Sequence, residues 1–419
     1  MTSTIRRDSD ALRVAVVGGG AAGMMAAIFA SVNGAAVTLF ERNDRLGKKL
    51  RITGKGRCNL TNNCELNEFL NNVPTNARFL YAALSRFSTA DTMDFFEDLG
   101  VPLKTERGKR VFPQSDKAGD VVAALDKRCR VLGVDVVNRR VDGLLLDGDT
   151  VKGVRIGSEE LEFDRVIVAT GGRSYPMTGS TGDGYRFAKE AGHTVTPLFP
   201  SLVPLVAKGT FCASLQGLSL KNVSLCVKNL QTGKTVFEDF GEMLFTHFGL
   251  TGPLILSASA HLLDIAPEKY EVVIDLKPAL DEKTLDARIL SDFVKYQNRD
   301  MINALGDLLP QKMIEPFIRL CGIDVRKKIH SVTREERERM VSVMKGIRIP
   351  VMGFRPIDEA IITRGGVSVK EIDPKTMESK KISGLYFAGE ILDVDAYTGG
   401  FNLQIAFSTA VAAGSAAAL

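Results

Sequence analysis

Short apolar runs alternate with segments of helical periodicity over the first part of the chain. The apolar runs are rich in β-branched side chains, which is typical of buried strands. Strands that alternate with helices in this way predict an α/β fold with a parallel sheet. In chain order, the predicted elements are a strand at 14–17, helices at 76–86, 89–99 and 116–130, and strands at 134–137 and 166–172.

The pattern changes twice along the chain. Runs at 140–147, 150–156 and 160–163 are separated by short turns and predict an antiparallel meander. Beyond residue 196 short β-type runs predominate, and a largely helical stretch follows them. The predicted domains are the first part of a discontinuous Rossmann-type domain at 1–195, an insert at 196–350 that is β-rich at 196–280 and helical at 281–346, and the second part of the Rossmann-type domain at 351–419.

The stretch from Val14 to Glu41 carries the clearest chemistry in the sequence. A strand-like run is followed by three glycines, an Ala-rich helical segment, a second apolar run and an acid. Gly18 permits a sharp turn, Gly20 lets main-chain N–H groups reach a pyrophosphate, and Gly23 allows close helix–strand packing. The phosphates then lie at a helix N-terminus, and Glu41 is placed to bind ribose hydroxyls. The pattern predicts a dinucleotide site.

A membrane helix is the rival interpretation of this stretch. The run 14–40 carries no charged side chain and is long enough to span a bilayer. Its glycine cluster and the break at Asn33-Gly34 favour a strand, a turn and a helix instead. We therefore expect a cytoplasmic protein without a membrane or targeting segment.

Composition narrows the class of protein. The chain has 419 residues, of which 45% are hydrophobic and 25% charged, as in globular proteins of two or three domains. A net charge of +4 indicates neither a membrane nor a nucleic-acid partner, so a small-molecule substrate is expected. Six cysteines in so long a chain predict no disulfide framework, and the four scattered histidines predict no metal site.

Three further features favour FAD over NAD as the bound cofactor. The chain contains one complete glycine fingerprint, and the meander followed by VIVATGG at 166–172 is the layout of FAD domains. Near the C-terminus, GLYFAGE at 384–390 and TGGFN at 398–402 offer a second strand end and a helix N-terminus. Such a helix N-terminus stabilises negative charge on a reduced flavin. NAD(P)H is then expected as a transient co-substrate.

The chain resembles the BaiN/YhiN-type flavoproteins, also described as FAD-binding enzymes of the aminoacetone oxidase type. The likeness extends over nearly the whole sequence. The motifs that carry it are VAVVGGGAAG (14–23), LGKKLRITGKGRCNLTN (46–62), RVFPQSDKA (110–118), VATGGRSYPMTGSTGDGY (168–185), GEMLFTHFGLTGP (241–253), TRGGV (363–367) and MESKKISGLYFAGEILDVDAYTGGFNLQ (377–404).

This resemblance implies a discontinuous FAD domain and an inserted β-barrel-like domain that carries a small helical subdomain. It also implies oxidoreductase activity, best described for the reduction of carbon–carbon double bonds conjugated to a ketone in steroid-like bile acids. One position departs from the family pattern, because Lys55 stands where a glycine is more common. The lysine places a cation near the expected cofactor.

The candidate cofactor residues lie in the fingerprint, in the basic loop that follows it, and at strand and helix ends. Lys49, Arg57 and the two residues after Arg57 suit the pyrophosphate or the flavin, and Glu390 supplies a carboxylate for the ribityl hydroxyls. For Arg42 a position over the adenine and a solvated surface position are both open. The full set is Gly18, Gly20, Ala22, Gly23, Glu41, Arg42, Lys49, Arg57, Cys58, Asn59, Val137, Thr170, Gly171, Gly389, Glu390, Asn402, Leu403 and Gln404.

Tyr175 and His247 are the candidate proton donors for the reaction. A hydroxyl that anchors its own loop is the alternative for Tyr175, and a structural histidine is the alternative for His247. Cys58 is either a redox thiol or an inert packed cysteine. The predicted function is hydride transfer through flavin N5 to or from a small apolar substrate. The alternatives are an amine oxidase that uses dioxygen, an RNA-associated flavoprotein that uses the basic loops 48–57 and 104–110, and a flavin-bound sensor.

Overall fold

The structure, a computed structural model, describes residues 11–419, which form two compact units. The first unit comprises residues 11–201 and 357–419, and the second comprises residues 202–356. Both boundaries lie a few residues beyond the positions 196 and 350 expected from the sequence. At the second boundary the reason is local, because Pro350 lies inside a strand of the second unit.

The strands of the first unit that precede the second unit are β1 (Arg13–Val17), β2 (Ala36–Phe40), β3 (Thr61–Asn62), β4 (Leu103–Glu106), β5 (Arg110–Pro113), β6 (Asp135–Val137), β7 (Gly143–Asp147), β8 (Thr150–Ile156), β9 (Glu159–Glu162), β10 (Arg165–Val168) and β11 (Phe199–Ser201). The second unit contains β12 (Leu205–Ala207), β13 (Ser219–Asn229), β14 (Thr235–Phe245), β15 (Gly249–Thr251), β16 (Tyr270–Asp275) and β17 (Ile347–Phe354). The first unit resumes with β18 (Ile362–Arg364) and β19 (Leu385–Phe387).

The α-helices of the first unit that precede the second unit are α1 (Ala21–Val32), α2 (Leu66–Leu70), α3 (Tyr81–Arg86), α4 (Thr89–Asp98), α5 (Ala118–Val131) and α6 (Asp183–Glu190). The second unit contains α7 (Phe211–Ser214), α8 (Pro253–Ser259), α9 (Glu282–Lys295), α10 (Gln311–Leu320) and α11 (Arg334–Lys345). The first unit ends with α12 (Phe401–Ala417).

The main sheet of the first unit has five parallel strands in the order β19-β10-β1-β2-β6. The central strand β1 is an apolar run with four consecutive buried residues, as a strand covered on both faces requires. Because β2 and β10 flank β1 on opposite sides, the strand order reverses at β1. The crevice beyond the carboxyl end of β1 is therefore the expected ligand position. The predicted parallel Rossmann-type sheet is confirmed.

Two apolar helices pack closely in the core of the first unit. In α1 the side chains of Met24, Met25 and Ile28 are buried, and α12 is buried around almost its whole circumference. A Cβ atom at Gly414 would lie 2.3 Å from the carbonyl oxygen of Ala26, so only glycine allows this approach of α12 to α1. The uncharged run 14–40 is thus a strand, a helix and a strand. Between residues 11 and 419, every helix is too short or too polar to cross a bilayer.

Two small antiparallel sheets complete the first unit. Strands β7, β8 and β9 form the predicted meander, which connects β6 to β10 where a simpler Rossmann fold has a crossover helix. Strands β3, β5 and β4 form the second sheet. Its first strand, β3, follows the basic loop 46–59 in the chain. Both connections leave the carboxyl ends of the parallel strands accessible at one edge.

The second unit is built on a closed antiparallel barrel in the order β12-β15-β14-β13-β16-β17. Its interior is filled by apolar side chains that include Leu225, Val272 and Phe245. Helices α9, α10 and α11 lie between β16 and β17 in the chain and share one hydrophobic core with the barrel. Thr333 and Glu336 bond reciprocally at the start of α11 and cap this helix. The expected barrel-like insert with a helical part is therefore confirmed.

Candidate functional site

The glycine loop after β1 is shaped by two close contacts. A Cβ atom at Gly18, where φ is +106°, would lie 2.6 Å from the carbonyl oxygen of Ala169. At Gly23 it would lie 1.7 Å from the carbonyl oxygen of Gly18, so the loop presses directly on α1. Gly20 begins α1 and has open space around it. The N-terminus of α1 thus presents main-chain N–H groups to the crevice, as an anion site requires.

Glu41 follows β2 and binds the glycine loop directly. Its carboxylate accepts hydrogen bonds from the N–H groups of Gly19 at 2.8 Å and Asn43 at 2.7 Å, and the residue is only 7% exposed. The N–H of Glu41 donates to the carbonyl of Val137 at the end of β6. The fingerprint acid therefore joins the three strand ends at which an ADP moiety is expected.

Arg42 does not extend over the crevice. Its guanidinium donates to Thr181 at 2.7 Å and forms an ion pair with Asp183 at 3.1 Å. Of the two positions left open by the sequence, this arrangement favours a structural surface contact. Arg42 holds the loop after β10 to the end of β2.

Thr170 and Gly171 follow β10 and face the glycine loop. A Cβ atom at Gly18 would approach the Cα of Thr170 to 3.0 Å. Gly171 has a φ of +73°, and a side chain there would meet the Ser180 hydroxyl. The end of β10 therefore lines the crevice on the side opposite Glu41.

A partly buried ion pair connects the basic loop to the C-terminal strand end. Lys49 Nζ lies 2.7 Å from a carboxylate oxygen of Glu390, and the two side chains are 21% and 19% exposed. The other oxygen of Glu390 accepts from the Ser174 hydroxyl and from the N–H of Thr363, both at 3.0 Å. Two of the predicted residues are thus brought together, although both are occupied by protein partners.

Gly389 and Ala22 are also brought together. A Cβ atom at Gly389, where φ is +81°, would lie 2.8 Å from the Cβ of Ala22 in the first turn of α1. The N–H of Gly389 donates to the Thr409 hydroxyl of α12. The turn after β19 therefore packs against the start of α1 and the side of α12.

The predicted trio at 57–59 separates into different environments. The Arg57 guanidinium binds Glu106 and Asp116 and stacks over Phe112 at 4.2 Å, so it serves the β4–β5 hairpin. Cys58 is fully buried, and burial raises the pKa of its thiol to about 12. A thiol of this kind stays protonated at neutral pH, which favours the inert packed cysteine. Asn59 keeps a buried side-chain oxygen that has no hydrogen-bond partner among residues 11–419.

Lys55 stands in a left-handed backbone conformation with φ of +59°, and its side chain is exposed. A Cβ atom in this region is strained, which gives a physical reason for glycine at the corresponding family position. We predict that Lys55→Gly stabilises the protein by about 0.5–1 kcal/mol, because the relieved strain exceeds the added entropy of the unfolded chain. Urea unfolding measures this gain. Lys55→Ala is the matched control, since it removes the charge but keeps the strain and should give no comparable gain.

The N-terminus of α12 provides main-chain groups rather than side chains. The Asn402 carboxamide donates to the carbonyl of Ala396 at 2.7 Å and accepts from its N–H at 3.0 Å. Gln404 is fully buried and binds Thr61, Ser408 and the carbonyl groups of 87–88. These side chains fix neighbouring segments in place. What Asn402 and Leu403 can offer a cofactor is the N–H groups of the first helical turn.

Four buried side-chain atoms have no hydrogen-bond partner among residues 11–419. They are Arg51 Nε, Asn59 Oδ1, Thr170 Oγ1 and Asp395 Oδ1. Buried polar groups are rarely left unpaired, so their presence in one unit points to a polar ligand that completes them. Together with the glycine loop, these four unpaired atoms fit a long dinucleotide such as FAD. Asn59 and Thr170 belong to the predicted set, whereas Arg51 and Asp395 do not. A single sequence does not distinguish Arg51 and Asp395 from the other polar residues of the motifs in which they lie.

The two candidate proton donors lie in different units. Tyr175 is in the first unit, in a left-handed conformation, with the Lys49 ammonium 6.0 Å from the centre of its ring. Burial, and then the charge of Glu359, raise the pKa of Tyr175, so the phenol keeps its proton at neutral pH. His247 lies between β14 and β15 of the second unit and is exposed. The role of each remains a prediction.

A Rossmann-type sheet with a glycine loop at its switch point, an antiparallel meander and unpaired polar groups defines a flavin-dependent oxidoreductase. The chain belongs to the family described as HI0933-like protein Rossmann domain, whose sequence model matches residues 12–416. This match confirms the family expected from the sequence motifs. FAD is the cofactor of this fold, and α1, Glu41 and the end of β10 are the parts of the chain that fit its ADP portion.

Two relatives are similar over nearly their whole length. The chain is 32% identical to the 3-dehydro-bile acid Δ(4,6)-reductase of Clostridium scindens, over 97% of this chain and 99% of the relative. It is 31% identical to the ribosomal RNA dihydrouridine synthase of Haemophilus influenzae, over 95% and 96% of the two chains. Among solved structures, the 3-ketosteroid-Δ4-(5α)-dehydrogenase of Rhodococcus jostii RHA1 is similar, with a TM-score of 0.53 at 16% identity over 100% of this chain and 99% of that chain. At that identity the likeness concerns the fold.

Proposed function

We propose that this protein saturates a carbon–carbon double bond conjugated to a carbonyl group, with NADH or NADPH as the reductant. The observation that carries the proposal is the chemistry common to the names of the two relatives. A 3-dehydro Δ(4,6) steroid and a uridine both contain an alkene conjugated to a carbonyl. Reduction of such an alkene consumes one NAD(P)H and one proton, and it yields NAD(P)⁺ and the saturated carbonyl compound.

FAD, when bound, would supply the two-electron chemistry of this reaction. The chain itself binds the cofactor, excludes water and delivers a proton to the carbon next to the carbonyl. Tyr175 suits that last role, because its phenol is half-buried and carries its proton at neutral pH. Its left-handed backbone is held by Thr178, whose N–H and hydroxyl both donate to the Tyr175 carbonyl. The phenol is therefore presented by a fixed turn.

Ion pairing reduces the positive charge that the two basic loops offer to RNA. Ion pairs within the first unit neutralise Lys49, Arg57, Lys104 and Lys109, which are four of the cations in the two basic loops. A surface that binds RNA phosphates needs such cations to be available. The dihydrouridine synthase among the relatives nevertheless makes uridine in RNA the second candidate substrate.

Anaerobic reduction followed by a panel of acceptors tests the proposal. The purified protein should be yellow, and NADH or NADPH should bleach it without dioxygen. A 3-oxo-Δ4 steroid or a simpler cyclic enone should then restore the yellow oxidised form, with one equivalent of saturated product per flavin. A protein that is colourless, or that no conjugated alkene reoxidises, contradicts the proposal.

The same panel of acceptors distinguishes the alternative functions from the proposed one. Reoxidation by dioxygen alone, with an amine as the reducing substrate and peroxide as a product, indicates an amine oxidase. Reoxidation by an RNA that contains uridine, but by no free enone, indicates an RNA-modifying enzyme. Strong weakening of RNA binding by salt would accompany that outcome, because phosphate contacts release counterions.

A further inference from the structure

Asp395 is a buried acid outside the set of cofactor residues predicted from the sequence. It lies in the loop between β19 and α12, and it is 0% exposed. One carboxylate oxygen accepts from the hydroxyl of Ser201 at 2.8 Å, and Ser201 is itself fully buried. The other oxygen, Oδ1, is buried and has no partner in the described part of the chain. A buried carboxylate oxygen strongly favours a donor, so Asp395 points to a ligand that carries one.

The loop around Asp395 is fixed to the first turn of α12. Asn402 Oδ1 accepts from the N–H that links Asp395 to Ala396, at 3.0 Å, and Asn402 Nδ2 donates to the carbonyl of Ala396 at 2.7 Å. A Cβ atom at Gly400 would lie 2.2 Å from the carbonyl oxygen of Thr61, so a second segment presses on the same helix end. The main chain that follows Asp395 is therefore fixed at the N-terminus of a 17-residue helix.

This arrangement matches the pyrimidine edge of a flavin. That edge presents a carbonyl oxygen, the N3–H and a second carbonyl oxygen in sequence, so N3–H is its one donor in the oxidised ring. Main-chain N–H groups of a helix N-terminus suit the carbonyl oxygen. A carboxylate oxygen accepts hydrogen bonds and donates none, so it suits N3–H.

We propose that Asp395 Oδ1 accepts a hydrogen bond from the N3–H of the flavin, beside a carbonyl oxygen held by the first turn of α12. The negative charge then lies next to the ring and disfavours the addition of electrons, which makes the reduced cofactor a stronger reductant. A stronger reductant suits the saturation of conjugated alkenes. The contact rests on the bound FAD, and its consequence for the chemistry rests on the proposed function.

Asn59 is the rival acceptor, because its Oδ1 is also buried without a partner. The observations favour Asp395 for two reasons. Asp395 is fully buried and charged, whereas Asn59 is half-buried and neutral, so an unmet oxygen is less favourable at Asp395. Asp395 is also held in place by Ser201, which fixes the direction of its second oxygen.

A comparison of FAD with N3-methyl-FAD tests the contact directly. Both are titrated into deflavinated protein, and the ratio of the two dissociation constants is measured for the wild type, Asp395→Ala and Asn59→Ala. A lost hydrogen bond to a charged group should make N3-methyl-FAD about ten-fold or more weaker in the wild type. The ratio should fall to near one in Asp395→Ala and persist in Asn59→Ala. A ratio that persists in Asp395→Ala, or vanishes in Asn59→Ala, overturns the proposal.

Asp395→Asn provides a second test if the alanine variant fails to fold. The amide keeps an acceptor for N3–H but removes the charge, so FAD should stay bound while reduction becomes easier. We expect the equilibrium constant for flavin reduction to rise at least ten-fold, which is about 30 mV for a two-electron couple. An unchanged midpoint potential overturns the proposal. Neither readout uses an acceptor substrate, so failure of the proposed function leaves both tests intact.

Discussion

Gly23→Ala is expected to abolish flavin binding and to destabilise the first unit by about 3 kcal/mol or more. The added Cβ would lie 1.7 Å from the carbonyl oxygen of Gly18, and that atom belongs to the main chain. Main-chain atoms in a packed turn move only together with the strand and the helix they connect. The glycine loop must therefore open, and the N–H groups at the start of α1 lose their common direction. Flavin absorbance after purification and urea unfolding measure the two effects.

Gly20→Ala is the matched control for this prediction. A Cβ atom there meets nothing within 4 Å, and φ is −82°, a value that alanine adopts without strain. Stability without cofactor should change by no more than about 1 kcal/mol, which is the usual cost of alanine at a helix N-cap. If this variant folds normally but loses flavin, the main chain at Gly20 must approach the cofactor. A Gly23→Ala protein that remains yellow and stable would contradict the expected contact.

Glu390→Ala is expected to destabilise the protein without cofactor by about 3 kcal/mol. The substitution leaves the Lys49 ammonium without its partner at 2.7 Å. It also removes the acceptor of the Thr363 N–H and the nearer acceptor of the Ser174 hydroxyl, which keeps the Ile361 carbonyl at 3.3 Å. All these groups are largely buried, so water replaces the lost carboxylate only in part. Chemical unfolding of the deflavinated protein measures the change apart from any effect on FAD.

Two variants calibrate the Glu390 result. Glu390→Gln keeps an oxygen for Ser174 and Thr363 but turns an amide NH2 toward the Lys49 ammonium, so its effect should be smaller than that of alanine by the two retained hydrogen bonds. Lys109→Met breaks the exposed ion pair with Glu68 and should change stability little, because solvent screens such pairs. If Glu390→Ala leaves the deflavinated protein as stable as the wild type and only weakens FAD binding, Glu390 acts through the cofactor alone.

The turn that carries the glycine fingerprint was predictable because its signal is local. The offsets of Gly18, Gly20 and Gly23 encode a turn between a strand and a helix that follow each other in the chain. Periodicity likewise located α4 and α5 to within a few residues, since it acts over one or two turns. Caps act over the same distance, as at the start of α11, where Thr333 and Glu336 are three residues apart.

The partners of the polar side chains were not predictable in the same way. Arg57 and Lys49 both lie in one basic loop that suits a phosphate. In the structure, however, Arg57 forms an ion pair with the β4–β5 hairpin and Lys49 forms one with Glu390. The Lys49–Glu390 bond joins residues 341 positions apart. No local pattern selects such a partner, because it depends on which strand ends the completed sheet places side by side.

By itself the sequence determined the strand–turn–helix–strand unit at 14–40 and the family. These properties depend on residue spacing, which the chain carries before it folds. The tertiary structure alone decided that Gln404 fills the core, that Asn402 holds the loop at 396–397, and that Asp395 is buried with a free oxygen. Burial and hydrogen-bond partners arise only when distant segments pack. The chemistry available at the flavin is therefore set by the fold as a whole.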